Sequence, residues 1–232
     1  MHLLGLDLEA TEAVWLSLRV AFWAMLWSLP FGLATAVVLA RGRFLGKSLF
    51  DGVVHLPLVM PPVVTGYLLL LLFGHNGPFG RIFDAFGIVF AFRWTGAALA
   101  AAVTAFPLMV RAMRLSLEAV DRRLEEAAGT LGAGGLLIFL LVTLPLMTPG
   151  IIAGMVLSFA RSLGEFGATI TFVSNIPGET RTIPLAIYTL TQTPGGDAAA
   201  LRLTAVAVAL SLLALLASEI LARQVGRRIA GD

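Results

Sequence analysis

The side chains with the most scope for chemistry lie in one stretch, residues 158–181, where polar groups interrupt an apolar sequence. Arg161 and Glu165 are four positions apart, so a helix would place them on one face as an ion pair. Gly167 would let a neighbouring backbone approach closely. Neutral hydrogen-bonding groups are spread along the same stretch, at Ser158, Ser162, Thr169, Thr171, Ser174 and Asn175. Such a set could form a gate or a path for a polar solute, or the ion pair could simply fix the end of a helix.

A second polar stretch, residues 118–135, has the pattern of a short amphipathic helix. Apolar residues recur at helical spacing along one stripe, namely Val120, Leu124, Ala127, Ala128 and Leu131. Charged residues cover the rest of the surface, and the glycines that follow permit a sharp reversal of the chain. A helix of this kind can fill a groove in a partner protein, or it can lie on lipid headgroups. Periodicity alone leaves both interpretations open.

The composition places these two stretches in a membrane protein. The chain of 232 residues is 58% hydrophobic with a mean hydropathy of +0.92. Only 13% of its residues are charged, against about 25% in a soluble domain. The pI of about 9.7 indicates cytoplasmic flanking charge rather than nucleic-acid binding, because no motif for nucleic acid accompanies it. Cysteine is absent, and the scattered His2, His55 and His75 predict no metal site.

Apolar windows of about 20 residues predict one all-α domain, residues 1–232, with five transmembrane helices. The five predicted spans are Val14–Ala40, Val53–Phe73, Trp94–Met113, Leu136–Ala160 and Leu201–Leu221. Residues 161–200 are rich in Gly, Thr and Pro, and predict short helices and turns at the outer face.

Basic residues predict the orientation of the spans. Ten of the sixteen flank one side, namely Arg41, Arg43, Lys47, Arg111, Arg114, Arg122, Arg123, Arg223, Arg227 and Arg228. Because basic residues accumulate in cytoplasmic loops, the N-terminus is expected outside and the C-terminus in the cytoplasm.

The absence of certain motifs argues against two classes of function, enzymes and secondary transporters. The sequence contains no GxxxxGK[ST] loop for ATP and no cluster that predicts a catalytic site, so an enzyme is not expected. A secondary transporter would need an ion relay within the spans or inverted repeats. Glu165 is its only acidic candidate, since Glu219 lies near the inner end of the fifth span, and no repeat is visible.

One motif indicates a specific family. The spacing of Glu126, Ala127 and Ala128 with Gly132, and then with Val142, Leu144 and Pro145, resembles the EAA segment of permease subunits of binding-protein-dependent ABC importers. The resemblance implies a type I permease core in a bacterial inner membrane. It implies a homodimer with two ATPase subunits, served by a periplasmic binding protein. It also implies that residues 118–133 form a cytoplasmic coupling helix that docks on the ATPase. The candidate coupling residues are Glu125, Glu126, Ala127, Ala128 and Gly132. No cofactor is expected on this chain, since the ATPase would bind the ATP.

Three further stretches, residues 55–70, 106–121 and 162–188, are similar to molybdate permeases. This resemblance implies an importer of molybdate, with tungstate as a second candidate substrate, that works by alternating access. Its candidate pathway or gate residues are Arg161, Glu165, Gly167, Thr169 and Asn175. Sulfate and thiosulfate permeases share the EAA segment and an Arg-x-Leu-Gly-Glu sequence, so they are the nearest alternative. The Asn-Ile-Pro-Gly sequence at 175–178 favours molybdate, and a secondary oxyanion transporter is the more distant possibility.

Overall fold

A computed structural model describes residues 7–230, with the side chains of the last helix described through Ala217 and again at Ile220. Every regular element in this range is helical. The helices are α1 Leu8–Arg41, α2 Lys47–Val59, α3 Pro62–Phe73, α4 Pro78–Asp84, α5 Trp94–Glu118, α6 Arg122–Thr130, α7 Gly135–Ile138, a π-helical segment Phe139–Thr143, α8 Leu144–Leu163, α9 Gly167–Val173, α10 Ile183–Thr191 and α11 Asp197–Ala230. The side chains of His2, Glu219, Arg223, Arg227 and Arg228, which the sequence interpretation used, lie outside the described part.

Four of the described helical segments are individually long and apolar enough to cross a membrane. They are α1, α5, the continuous segment Gly135–Leu163 that joins α7 to α8, and α11 over Asp197–Ala217. A fifth crossing results if α2 and α3 count together, although they meet at 113°.

The sharp bend between α2 and α3 divides the stretch Val53–Phe73 that the sequence predicted as one span. Its cause is the pair Pro61 and Pro62, which lack backbone N–H donors. A proline also disfavours helical backbone in the residue before it. Met60 is accordingly extended, with φ −67° and ψ 144°, and α3 starts afresh at Pro62.

Helices α5 and α8 pack against each other at the centre of the bundle. Small side chains allow their backbones to approach closely. On α8, residues Gly150, Gly154, Ser158 and Ser162 recur every four positions and all are buried. A Cβ atom at Gly154 would lie 3.0 Å from the carbonyl oxygen of Met109 on α5. Such stripes of small residues allow transmembrane backbones to pack closely, where dispersion contacts are strong.

Helix α1 spans the bundle and contacts the starts of α10 and α5. The Ser17 hydroxyl accepts a buried hydrogen bond of 2.7 Å from the backbone N–H of Ile183, and so caps the start of α10. Two residues further on, the Arg19 guanidinium carbon lies 3.7 Å from the centre of the Trp94 ring at the start of α5. These contacts fix α1 against both α5 and α10.

Helices α3 and α9 approach so closely that their backbones touch. A Cβ atom at Gly66 would lie 2.5 Å from the carbonyl oxygen of Ala168 and 2.8 Å from its Cα. One at Gly167 would lie 2.8 Å from Cβ of Pro62. The bend before α3 and the break before α9 therefore meet at a junction that only glycine permits.

Gly66→Ala is expected to destabilise the protein by about 1–3 kcal/mol, because the added methyl group overlaps backbone that cannot rotate away. Gly52→Ala is the matched control, since Gly52 also lies within a helix and an added Cβ meets nothing within 4 Å. That control should be neutral or stabilising, because alanine favours helix over glycine. Thermal unfolding of the two purified variants measures the difference, and equal midpoints would contradict the close α3–α9 contact.

Candidate functional site

Helix α6 is built from local signals that the sequence carries. Its N-cap is Asp121, whose carboxylate accepts a 2.9 Å hydrogen bond from the backbone N–H of Arg123. At the other end Gly132 has φ +87°. Its N–H donates to Gly129 O at 3.0 Å, and the N–H of Ala133 donates to Ala128 O at 3.2 Å. This pair of bonds is a Schellman motif, which needs the left-handed conformation that glycine adopts without strain.

The candidate coupling residues of α6 differ in how they face the surroundings. Glu126, Ala127 and Gly132 are exposed, and Ala128 is half-buried. Leu131, just after the helix, is 88% exposed. Of the predicted apolar stripe only Val120 is buried, so the remainder forms an open face. An exposed apolar face beside charged residues is typical of a surface that contacts another protein.

Glu125 faces the opposite way and connects α6 to two other helices. Its Oε1 atom lies 2.8 Å from a guanidinium nitrogen of Arg41, the last residue of α1. The same oxygen accepts a 2.7 Å hydrogen bond from the hydroxyl of Thr143, at the end of the π-helical segment. The sequence interpretation grouped Glu125 with the docking residues, and it did not single out Arg41 or Thr143 as its partners. Thr143 lies between Val142 and Leu144 of the EAA segment, and that position was the available signal for it.

The predicted pair Arg161 and Glu165 forms an ion pair at the end of α8. The guanidinium Nη1 lies 2.8 Å from Oε2 of Glu165, whose side chain is 2% exposed. The other carboxylate oxygen accepts a 2.9 Å hydrogen bond from the backbone N–H of Ala168 in the first turn of α9. Glu165 therefore joins α8 to the first turn of α9, the helix that contains Gly167 and the buried Thr169.

Asn175 belongs to a different network. Its amide nitrogen donates to the Thr189 hydroxyl at 2.8 Å, and its oxygen accepts from Nε of Arg181 at 3.0 Å. Arg181 in turn lies 3.1 Å from the Glu9 carboxylate at the start of α1. Both ends of the Asn175 side chain are thus used to hold the loop before α10. The structure joins Arg161 and Glu165 to the start of α9, which contains Gly167 and Thr169, and places Asn175 in this separate loop.

Of the four buried hydroxyls without a partner in the described part of the chain, three lie on α3 and α8. In the described part of the chain the side-chain oxygens of Thr65, Ser158 and Ser162 have no hydrogen-bond partner. Ser158 and Ser162 lie on one face of α8, which ends at Leu163 shortly before Glu165, and Thr65 precedes Gly66 at the close contact between α3 and α9. A buried polar group without a partner is costly, so such groups gain when a rearrangement or a solute supplies one.

A charged pocket of about 500 Å³ lies between α2 and α5. Arg114 on α5 bridges the two helices through Asp51 on α2, which lies 3.1 Å away. It also lies 2.8 Å from Glu118 on its own helix. His55 also contacts Asp51, at 3.0 Å. The sequence interpretation used the pocket's arginines only to orient the chain.

The comparison with known families decides the class of this protein. A sequence model described as "binding-protein-dependent transport system inner membrane component" matches residues 28–230. The chain belongs to this family. It is a multi-pass inner-membrane component of an ABC-type transport system, not a catalyst.

Individual relatives share most of their length with the chain. The molybdenum transport system permease protein of Escherichia coli K12 is 63% identical over 221 residues, covering 95% of this chain and 96% of that protein. A sulfate transport system permease protein of Salmonella typhimurium is 40% identical over 223 residues, covering 96% and 80%. The sulfate relative is therefore clearly more distant.

A solved structure supports the architecture. A chain of a bacterial alginate ABC transporter, in complex with an alginate pentasaccharide-bound periplasmic protein, matches with a TM-score of 0.74 at 16% identity. The match covers 94% of this chain and 80% of that chain. Identity this low concerns the fold alone, and the predicted all-α fold of an ABC importer permease is confirmed.

Proposed function

We propose that this chain is the membrane-spanning subunit of an ATP-driven importer of molybdate. The observation that carries the proposal is the 63% identity, over 95% of the chain, to a molybdenum transport permease. Sulfate is the alternative substrate, favoured by the 40% identity to a sulfate permease. Tungstate, which resembles molybdate in charge and shape, is expected to use the same path.

The working unit in this proposal contains two copies of the chain, two ATPase subunits and a periplasmic binding protein. The family description, which names binding-protein-dependent transport, supports the last partner. The open face of α6, with Glu126, Ala127 and Gly132 exposed, supports docking of an ATPase. Closed twofold symmetry is the usual arrangement of such assemblies and would place the pathway between the two copies.

The end of the bundle that carries α6 is proposed to face the cytoplasm. Arg41, Arg114 and Arg123 lie at this end, since α1 and α5 end there and Arg41 contacts α6. The opposite end holds the start of α1, where Glu9 contacts Arg181. The positive-inside rule then puts the N-terminus outside and the C-terminus in the cytoplasm.

Transport in this proposal proceeds by alternating access. ATP binding draws the ATPase subunits together, and α6 carries that movement into the spans. The pathway then opens outward to the docked binding protein, and hydrolysis returns it to the inward-facing state. Such coupling requires two global states in which the partners make different contacts. The proposed gate is the contact of α3 with α9 together with the end of α8, since the Arg161–Glu165 pair bonds to α9 there and, in the described part, Thr65 on α3 and Ser158 and Ser162 on α8 have buried hydroxyls without partners.

Weak polar contacts suit such a gate, because a dianion held tightly within the membrane could not leave. Thr169, which is buried in α9 four residues after Glu165, offers a neutral hydroxyl. Thr169→Ala is expected to slow molybdate uptake several-fold, whereas Thr169→Ser, which keeps the hydroxyl, should stay near wild type. Both variants are compared by their initial rates of molybdate uptake. Equal rates would show that the hydroxyl has no effect, and would remove this stretch from the pathway.

The substrate is tested in a bacterial strain that lacks its own molybdate permease. The strain should express this chain with its ATPase and binding protein, and molybdenum-dependent nitrate reduction is measured at low external molybdate. Restored activity supports the proposal. A parallel strain that lacks sulfate permeases tests the alternative, and growth on sulfate there, without restored nitrate reduction, would move the chain to sulfate transport.

A further inference from the structure

We propose that Glu125 is the positioning residue through which α6 moves α1 and α8, rather than part of the surface that docks on the ATPase. The inference rests on the proposed function, because it assigns the route by which docking on α6 reaches the membrane spans. It separates two adjacent glutamates that the sequence motif treats alike. Glu126 points outward and is exposed, whereas Glu125 points into the bundle.

The contacts of Glu125 single it out within α6. Across the described residues it is the only α6 side chain with a hydrogen bond or ion pair to a different helix. The other side-chain bond in α6, from Thr130, ends on Ala127 within the same helix. Among the side-chain polar contacts of α6, the route to the spans therefore passes through one carboxylate oxygen that both Arg41 and Thr143 contact.

The strength of this connection comes from charge and partial burial. The Arg41 and Glu125 side chains are 25% and 22% exposed, so water screens their attraction less than at an open surface. Hydrogen bonds to charged groups are about twice as strong as neutral ones. Arg41 is the last residue of α1, so the pair holds the end of that helix rather than a flexible loop.

The second partner lies at a point where its helix is already irregular. Thr143 closes the π-helical segment Phe139–Thr143, and the N–H of Leu144 bonds to Phe139 O, five residues back. Such π segments are often found at functional sites. A cavity of about 310 Å³ lies beside Glu125, lined by Arg41, Thr143 and the start of this span, and gives α6 room to shift.

The test measures docking and coupling separately in the assembled complex. Variants are Glu125→Ala, Glu125→Gln, Arg41→Gln, the double variant Arg41→Gln/Glu125→Ala, and Thr143→Val. Arg43→Gln is the matched control, because it removes the same charge from an exposed neighbour of Arg41.

All variants should retain the ATPase in wild-type amount. Molybdate taken up per ATP hydrolysed should fall about tenfold in Glu125→Ala, as expected from losing bonds to a charged group. The double variant should lose no more coupling than Glu125→Ala alone, because both substitutions break the same Arg41–Glu125 connection.

A second measurement does not depend on the substrate. The chain contains no cysteine, so Leu141→Cys, at a 67% exposed position of the π-helical segment, can carry a single spin label. Binding of a non-hydrolysable ATP analogue to the complex should change the label's mobility. That change should disappear in Glu125→Ala and Glu125→Gln and persist in Arg43→Gln.

Two results would overturn the inference. One is a Glu125→Gln complex whose spin label and coupling ratio respond like wild type. The other is a Glu125 variant that loses the ATPase, which would return this residue to the docking surface. If the wild-type complex takes up no molybdate, the proposed substrate fails, while the spin label still decides the role of Glu125.

Discussion

Arg161→Ala should lower the free energy of unfolding by about 3 kcal/mol. The substitution leaves the Glu165 carboxylate, which is 2% exposed, without its cation. Removing one partner of a buried ion pair typically costs about 3–5 kcal/mol. Because the Arg161 side chain is 31% exposed, the lower end of that range is expected here. Thermal unfolding of the purified protein in detergent measures the loss.

The double variant Arg161→Ala/Glu165→Gln provides the control. Its neutral amide needs no cation and can still accept the hydrogen bond from Ala168. Most of the lost stability should therefore return. If uptake remains slow once stability has returned, the pair acts in the gate. If uptake returns as well, the pair only holds the end of α8. Equal unfolding midpoints for the single and double variants would contradict the geometry of the pair.

Gly132→Asp should reduce ATP-dependent uptake by at least about tenfold. Left-handed backbone costs a residue with a side chain up to roughly 1–2 kcal/mol, so the turn with φ +87° that ends α6 should be destabilised. The new carboxylate also adds negative charge to the face proposed to dock on the ATPase. A coupling loss of 1.4 kcal/mol corresponds to a factor of about ten. Uptake and retention of the ATPase are measured in the same preparation.

Gly134→Asp is the matched control for this substitution. It places the same charge two residues away, where φ is −70° and an added Cβ meets nothing within 4 Å. Aspartate is also a favoured N-cap, and Gly134 caps α7. Near-normal uptake is expected. Equal losses in Gly132→Asp and Gly134→Asp would mean that charge, and not the glycine turn, sets the effect.

Local signals in the sequence predicted the elements of the fold. Apolar runs of sufficient length indicated the membrane helices, because lipid requires every backbone group to be bonded within its helix. The sequence interpretation extended the coupling helix over residues 118–133, whereas α6 runs from Arg122 to Thr130 because Asp121 caps its start and Gly132 ends it. The i, i+4 spacing likewise predicted the Arg161–Glu165 ion pair.

Contacts between residues distant in sequence could not be predicted in the same way. Periodicity could not reveal that Glu125 reaches Arg41, 84 residues away, or that Arg181 reaches Glu9, 172 residues away. The 113° bend before α3 was hidden because proline predicts a kink without its angle. The role of Glu125 depends on such a contact, which is why the sequence grouped it with the docking residues.

The most direct test of the account is uptake of labelled molybdate by liposomes that contain this chain and its ATPase. ATP is enclosed on the ATPase side and the binding protein is added on the other. Uptake is expected only when both are present, with little competition from excess sulfate, and it should be at least about tenfold lower in Gly132→Asp liposomes. Uptake without ATP would contradict the importer assignment, and uptake of sulfate in preference to molybdate would contradict the substrate.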